Sequence, residues 1–313
     1  LSNNFMYDLI IIGGATAGLT AGIYAARKKI NAVIITKEVG GQSLLTDTIE
    51  NYPGFESISG EELIQKMKIQ MEKHGLPLME GKEVEFVEKK NSDFAVKIKD
   101  GEELAAKSLI IATGKNPRLL NVPGEKEFKN KGVSYCSTCD APLYGGKDVA
   151  VAGSGNSGLG AAFDLAKYAN KIYVLESDGK IKGDEIMQEK LKNSKKVEFI
   201  VNAKIKEIKG SNFVEKIIYE DRESGKIKET LAGGIFVNIG WIPSSGLVKG
   251  LVKLNEWQEI IIDPKTNETS IKGIFAAGDV TDVLHKQCVV AAGEGAKAAL
   301  SVYEYLKGQE PRK

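Results

Sequence analysis

Two cysteines separated by two residues, Cys136-Ser137-Thr138-Cys139, are followed at once by a carboxylic acid, Asp140. Thiols at this spacing can close a small disulfide. The thiolate is the reacting form, so a redox pair needs one sulfur of lowered pKa, which a helix N-terminus or a nearby cation supplies. Asp140 stands where it can give a proton to a departing sulfur or take one back. Two other readings compete. A zinc half-site needs two further ligands, and Cys288, His74 and His285 are all far from the pair in sequence. Two unreactive core cysteines are the third reading.

Two glycine turns could bring electrons to such a pair. Residues 7–12 form an apolar run after Asp8, then Gly13-Gly14-Ala15-Thr16-Ala17-Gly18 opens a helical stretch to about Lys29. Strand, glycine turn and helix in that order bind dinucleotides: the first glycine makes the turn and the last lets helix pack on strand. The middle position, where backbone meets pyrophosphate, is Ala15. The unit recurs at 148–152 with Gly153-Ser154-Gly155-Asn156-Ser157-Gly158, here with all three glycines. The strand at 172–175 ends in Glu176, placed to accept from a ribose 2′-hydroxyl, which favours NAD. A 2′-phosphate calls for arginine, and Ser177-Asp178-Gly179-Lys180 holds none. A solvated loop-edge acid is the plainer reading of Glu176.

The elements that must position these groups are those of an α/β protein. The pattern predicts strands at 32–35, 84–87, 94–98, 103–105 and 108–112, and again at 197–201, 205–208, 214–219, 227–231, 235–239, 260–262 and 274–276. Helices are predicted at 60–74, 184–193 and from about 286 to 306. Two polar, proline-bearing segments, 115–118 and 241–246, read as crossings between domains. The expected architecture is two Rossmann-like three-layer domains, the second inserted into the first. Residues 1–116 and 245–313 form one and residues 117–244, carrying the cysteines, the other.

The 313 residues carry 43 Lys and Arg against 42 Asp and Glu, a balance unlike the basic surface of a nucleic-acid binder. Three cysteines, an odd number, argue against a secreted disulfide scaffold and for a reducing, cytoplasmic compartment. No apolar run approaches the roughly 20 residues of a membrane span. The first apolar stretch runs into the glycine turn and does not read as a signal peptide; the residues before Met6 read as peripheral. Lysine-rich runs at 192–196 and 204–209 read as solvated faces. Trp241 and Trp257 read as packing residues, Cys288 as a small buried hydrophobe, and His285 as a polar residue opening the last helix.

Taken in order, GGATAG, GGQ, ENYPGF, CSTCD, GSGNSG and AAGDV…KQ make the chain resemble the low-molecular-weight thioredoxin reductase family over nearly its whole length. Residues 132–306 are also similar to the C-terminal part of the alkyl hydroperoxide reductase flavoprotein subunit, whose additional thioredoxin-like region has no counterpart here. The resemblance implies FAD along Gly13, Gly14, Ala15, Gly18, Thr36, Gly40, Gly41, Gln42 and Asn51, with Asp279 at the ribitol and Gln287 at the flavin ring. It implies a nicotinamide dinucleotide at Gly153, Gly155, Gly158 and Glu176, Cys139 facing the flavin, Cys136 attacking the partner and Asp140 donating a proton. Family members are homodimers. Departures are Ala15, Ala141-Pro142 after Asp140, and Lys286 for a frequent arginine, expected to support reduced flavin at the helix N-terminus. The missing arginine cluster favours NADH over NADPH. The expected activity is thioredoxin-disulfide reductase-like, passing electrons to a thioredoxin- or glutaredoxin-like protein. The alternatives are an electron donor of a peroxiredoxin system, or a flavoprotein oxidase or electron carrier fed by a donor such as ferredoxin.

Overall fold

A computed structural model of the chain describes residues 6–45 and 49–308. The residues before Met6, expected to be peripheral, lie outside the described residues. The chain divides into two compact units, Leu1–Asn116 with Ile242–Lys313, and Pro117–Trp241.

The first unit is built on β1 (Met6–Gly14), α1 (Thr16–Arg27), β2 (Ala32–Val39), α2 (Gly60–Glu72), β3 (Leu78–Glu80), β4 (Val84–Lys90), β5 (Asp93–Ile98) and β6 (Glu103–Ile111). Next in the chain comes β7 (Lys115–Pro117). After the second unit the chain returns through β17 (Ile274–Ala276) and α6 (Cys288–Leu306). The sheet order is β3-β2-β1-β6-β5-β4, with β17 also on β6. β1 is apolar from Leu9 to Ile12 because it is covered on both faces. Leu9 and Ile11 pack with α1, α2 and α6, whereas Ile10 and Ile12 pack with Phe94, Val96, Val248 and Ile260.

The second unit contains β8 (Val133–Ser134), α3 (Ser137–Asp140), β9 (Asp148–Ala152), α4 (Asn156–Ala166), β10 (Lys171–Leu175), α5 (Glu185–Asn193) and β11 (Val197–Ile200). A meander follows, β12 (Ala203–Gly210), β13 (Val214–Asp221) and β14 (Ile227–Leu231), then β15 (Ile235–Val237) and β16 (Trp241–Pro243). The parallel sheet β11-β10-β9-β15-β8 lies between helices and meander. Val149 and Val151 face Leu159, Leu165 and Leu191, while Ala150 and Ala152 face Ile205, Ile217 and Tyr219. The two crossings, β7 and β16, pair as a two-stranded ribbon. Arg118 N donates to Gly240 O (2.9 Å) and Ser244 N to Gly114 O (2.9 Å) on either side of it.

Several expectations need correction. The segments at 103–105 and 108–112 are one strand, β6, which changes partner along its length: Ala105 and Ala106 pair antiparallel with β5, Leu109 to Ile111 parallel with β17. Lys107, between the two predicted segments, points out to Asp8, 2.8 Å away. Residues 260–262 are not a strand; Ile260 makes only isolated bridges to Leu254 and Thr281. β3 was not anticipated, and three residues are too few to show a period. The last helix begins at Cys288, so exposed His285 precedes it rather than opening it.

Helices α1 and α6 touch at a glycine. A Cβ on Gly295 would stand 2.1 Å from Ala17 O, whereas one on Gly293 would meet nothing. Alanine gains about 1 kcal/mol of helix propensity over glycine at both positions, but overpacking costs about 1–3 kcal/mol. Gly295→Ala is therefore expected to lower the thermal midpoint and Gly293→Ala to raise it. Equal shifts in thermal denaturation would show that the helices do not meet this closely.

Candidate functional site

In the first unit the glycine turn is set by contacts that only glycine permits. Gly13 has φ +117°, and a Cβ there would lie 2.2 Å from Ala112 O. A Cβ on Gly18 would stand 1.8 Å from Gly13 O, so the helix sits against the turn. Ala15 is the N-cap residue of α1 in extended conformation, and no side chain caps that helix and no acid stands in its first turn. Its methyl is directed at Gly41, where a Cβ would come within 3.1 Å. The first-turn N–H groups are thus left for an anion. By contrast, Ser59 caps α2 and Asp184 caps α5.

Around this turn the structure gathers most of the residues expected at a flavin. Gly40 N donates to Gly14 O (3.0 Å), and buried Thr36 donates to Glu38 O (2.6 Å). Ser43 Oγ lies 3.2 Å from Thr16 Oγ1 and 3.5 Å from Cys288 Sγ. Asn51 Nδ2 donates to Gln287 Oε1 (3.2 Å) at the start of α6, a second helix with no side-chain cap and no first-turn acid. Gln42 Nε2 donates to Lys115 O (2.6 Å), and Lys115 Nζ lies 3.5 Å from Asp279 Oδ2. Lys115, read from sequence as linker, is therefore part of this rim. Its side chain is 10% exposed. Burial pulls its ammonium pKa down, against the opposing pull of Asp279. Lys286 pairs with Glu259 (3.0 Å) and donates to the carbonyls of Thr281 and Asp279. Its charge is thus engaged by the turn that carries Asp279.

That turn has a further support the sequence did not suggest. Glu294, buried in α6, accepts from Gly278 N (2.8 Å) and Thr281 Oγ1 (3.4 Å). Burial raises its pKa, while the Gly278 N–H works in the other direction. An acid within the Ala- and Gly-rich start of the last helix was the available signal.

In the second unit Gly153 has φ +96°, and a Cβ on Gly158 would stand 2.1 Å from Gly153 O, repeating the first turn. A Cβ on Gly155 would meet nothing within 4 Å, and α4, which it caps, has no side-chain cap and no first-turn acid. The protein's own packing leaves that space open, as the close approach of a phosphate requires. Glu176 is not a solvated edge: it is 3% exposed. One carboxylate oxygen accepts from Ser154 N (3.1 Å) and Ser154 Oγ (2.6 Å). The other accepts from Asp178 N (3.0 Å) and Ser177 Oγ (3.3 Å), and lies 3.2 Å from Lys182 Nζ. Burial alone would raise its pKa, but Ser154, the Asp178 N–H and Lys182 together hold it below the ordinary value.

Cys136 and Cys139 are joined as a disulfide with Cα atoms 5.4 Å apart, so the sulfurs bind each other and do not stand as separate metal ligands. Cys136 is the N-cap residue of the single turn α3, and its sulfur accepts from Cys139 N (3.3 Å). Asp140 closes that turn. Buried Ser134 donates to Asp140 Oδ2 (2.6 Å) and accepts from Cys136 N (3.1 Å), linking acid and disulfide through one hydroxyl. Ser137 Oγ donates to Asp164 on α4 (3.0 Å). Tyr144, packed edge-on against Phe236, has its hydroxyl pKa pushed up to about 12 by burial and by Asp140. Each unit thus supplies a dinucleotide turn, and the second adds a disulfide with an acid held beside it.

The profile of the family described as Pyridine nucleotide-disulphide oxidoreductase matches residues 7–295. The chain is 42% identical over 300 residues to an NADH dehydrogenase of Bacillus subtilis, covering 96% of this chain and 58% of the relative. It is 41% identical over 310 residues to an alkyl hydroperoxide reductase component of Escherichia coli, covering 98% and 59%. The chain therefore spans about three-fifths of the length of the curated relatives it matches. Among solved structures, thioredoxin reductase from Streptococcus pyogenes superposes with TM-score 0.90 at 37% identity, covering 98% of this chain and 100% of that one. Thioredoxin reductase from Giardia duodenalis gives 0.88 at 35% identity, covering 96% and 99%.

The buried Glu294 carboxylate yields a pH-dependent expectation. Its folded pKa lies above the ordinary 4.5. Its contribution to stability is therefore present below that value and lost as pH rises through the folded pKa. Glu294→Gln keeps an acceptor for Gly278 N–H without the charge. Its thermal midpoint should exceed that of the unmodified protein at pH 7, with the margin vanishing below about pH 4.5. Glu294→Leu leaves that N–H unpaired and should cost about 1–3 kcal/mol. A difference between Glu294→Gln and the unmodified protein that is the same at pH 7 as below about pH 4.5 would contradict this role.

Proposed function

The chain belongs to the pyridine nucleotide-disulphide oxidoreductase family, and from that premise we propose that it is a flavin-dependent, thioredoxin reductase-like disulfide reductase. The observation that carries the reading is a disulfide with an acid tied to it, in a chain that also holds two glycine turns with open helix N-termini. The family implies a flavin and a pyridine nucleotide; in this reading they are FAD and NADH. Gly13, Gly14, Ala15 and Gly18, with Thr36, Gly40, Gly41, Gln42, Asn51, Asp279, Lys286 and Gln287, would hold FAD. Gly153, Gly155, Gly158 and Glu176 would hold the nicotinamide dinucleotide. Bound flavin would supply the hydride acceptance from a nicotinamide that no side chain can perform.

The chain's own residues do the rest. Two electrons and two protons convert the Cys136–Cys139 disulfide to two thiols. Cys136, as thiolate, attacks a partner disulfide and forms a mixed disulfide, releasing one partner sulfur, which takes up a proton. Cys139 then attacks Cys136 sulfur, re-forms the internal disulfide and releases the second partner sulfur. Asp140, oriented by Ser134, takes and returns the proton at Cys139. The partner in this reading is a thioredoxin- or glutaredoxin-like protein. A peroxiredoxin system is the second reading, supported by the 41% identity to a chain named for alkyl hydroperoxide reduction. Family resemblance supports a cytoplasmic homodimer, which sedimentation of the purified protein would check. No described helix is long and apolar enough to cross a membrane.

Mixing the yellow protein anaerobically with NADH should bleach its flavin absorbance faster than NADPH does. Cys136→Ser should retain that bleaching and lose at least about 100-fold in reduction of a protein disulfide, the scale on which removing a nucleophile acts. Unchanged disulfide reduction by Cys136→Ser would overturn the relay, and a colourless protein would overturn the flavin.

A further inference from the structure

The end of β10 carries more positive charge than its own sequence shows. Lys182 Nζ lies 2.8 Å from Asp178 Oδ2, as well as 3.2 Å from Glu176. Arg222, at the end of the β13 strand and 45 residues from Ser177 in sequence, reaches the same corner. Its Nη1 donates to Ser177 O (3.2 Å) and lies 3.6 Å from Asp178 Oδ1. Its presence there is built in by the backbone. Arg222 N donates to Asn202 O (2.8 Å), while Asn202 N donates to Asp178 O (2.9 Å). The hairpin is thus stitched to the loop that follows Glu176.

We propose that Asp178 is a specificity-determining residue, which excludes 2′-phosphorylated adenine nucleotides by occupying the two cations, Lys182 and Arg222, that would otherwise bind the phosphate. The inference rests on the nucleotide-binding reading of the second glycine turn. Glu176 contributes little to the discrimination by free capacity, since its oxygens already face four donors and an ammonium. It fixes the shape of the corner by joining Ser154 to the 176–178 turn. Asp178 is the group that can change the outcome. A guanidinium and an ammonium flanking one point are a phosphate-binding pair, the guanidinium by its forked donors. With Asp178 between them, two acids balance two bases, and a phosphate entering there must displace a carboxylate and stand beside it. Lys182, Asp178 and Arg222 are 48%, 50% and 53% exposed in their side chains. Pairs this open to water are weakly held, so loss of one carboxylate suffices to release both cations.

The test is calorimetric titration of the oxidised, flavin-loaded protein with adenosine 2′,5′-bisphosphate and with ADP, each at low and high salt. Asp178→Asn should bind the bisphosphate about tenfold more tightly than the unmodified protein, as expected for removing a like charge beside a phosphate. Its ADP affinity should stay within about twofold, and only the gain for the bisphosphate should shrink with salt. Asp178→Ser, without the carboxylate or amide, should show the same gain, and Asp178→Asn with Arg222→Ala should lose it. Bleaching rates with NADPH should follow the bisphosphate affinities. Intact ADP binding with an unchanged preference in both single variants overturns the role of Asp178, as does an unmodified protein that already binds the bisphosphate as tightly as ADP. If neither nucleotide binds any of the proteins, the nucleotide reading itself falls, and the inference with it.

Discussion

The two functional turns depend on one constraint: a helix must come so near the preceding strand turn that only a hydrogen fits between them. At Gly18 a methyl would lie 1.8 Å from Gly13 O, and at Gly158 2.1 Å from Gly153 O. This approach aims the first turn of each helix past the end of its sheet, and neither helix spends its N–H groups on a cap. Helices α2 and α5, which have no such task, are capped by their own side chains. Unused donors at an open helix end attract anions, so the packing restriction and the binding property come from the same glycine.

Charge is handled differently at the two turns. Around the first, Lys115 and Asp279 are only 10% and 20% exposed, and Glu294 is buried behind them. Removing either partner of such a shielded pair leaves a partly desolvated charge behind. Those groups therefore act as a fixed rim. Around the second, the acids and bases beyond Glu176 are half in water, where an exposed pair is worth about 0.2–1 kcal/mol. The first site is made to hold its shape and the second to remain adjustable. This suits a resident group in one unit and an exchanging one in the other.

Much of this was legible in the sequence, and the gaps have physical causes. Apolar runs such as Leu9–Ile12 and Val149–Ala152 reveal strands because they are covered on both faces, and the glycine spacing reveals the turns. The same reasoning divided β6 into two strands, because its two halves meet different partners and an exposed Lys107 lies where they join. It overread 260–262, where isolated bridges hold an apolar segment that never pairs as a ladder. Ala15 departs from the usual glycine, and the sequence did not show that Gly41 stands opposite its methyl. Lys115, Glu294 and Arg222 could not be assigned because their importance lies in long-range proximity. Arg222 meets a loop 45 residues earlier, and Lys115 meets Asp279 across the whole inserted unit.

The ribbon formed by β7 and β16 has a bearing on ancestry. Departing and returning chains are hydrogen-bonded to each other at both margins of the ribbon, Ser244 to Gly114 and Arg118 to Gly240. A segment whose entrance and exit adjoin can be gained, swapped or deleted as a cassette, because the host chain needs only a hairpin to heal the cut. With the glycine turn repeated in host and guest, that doorway is where gene duplication could place one copy of a nucleotide fold inside another without unravelling either.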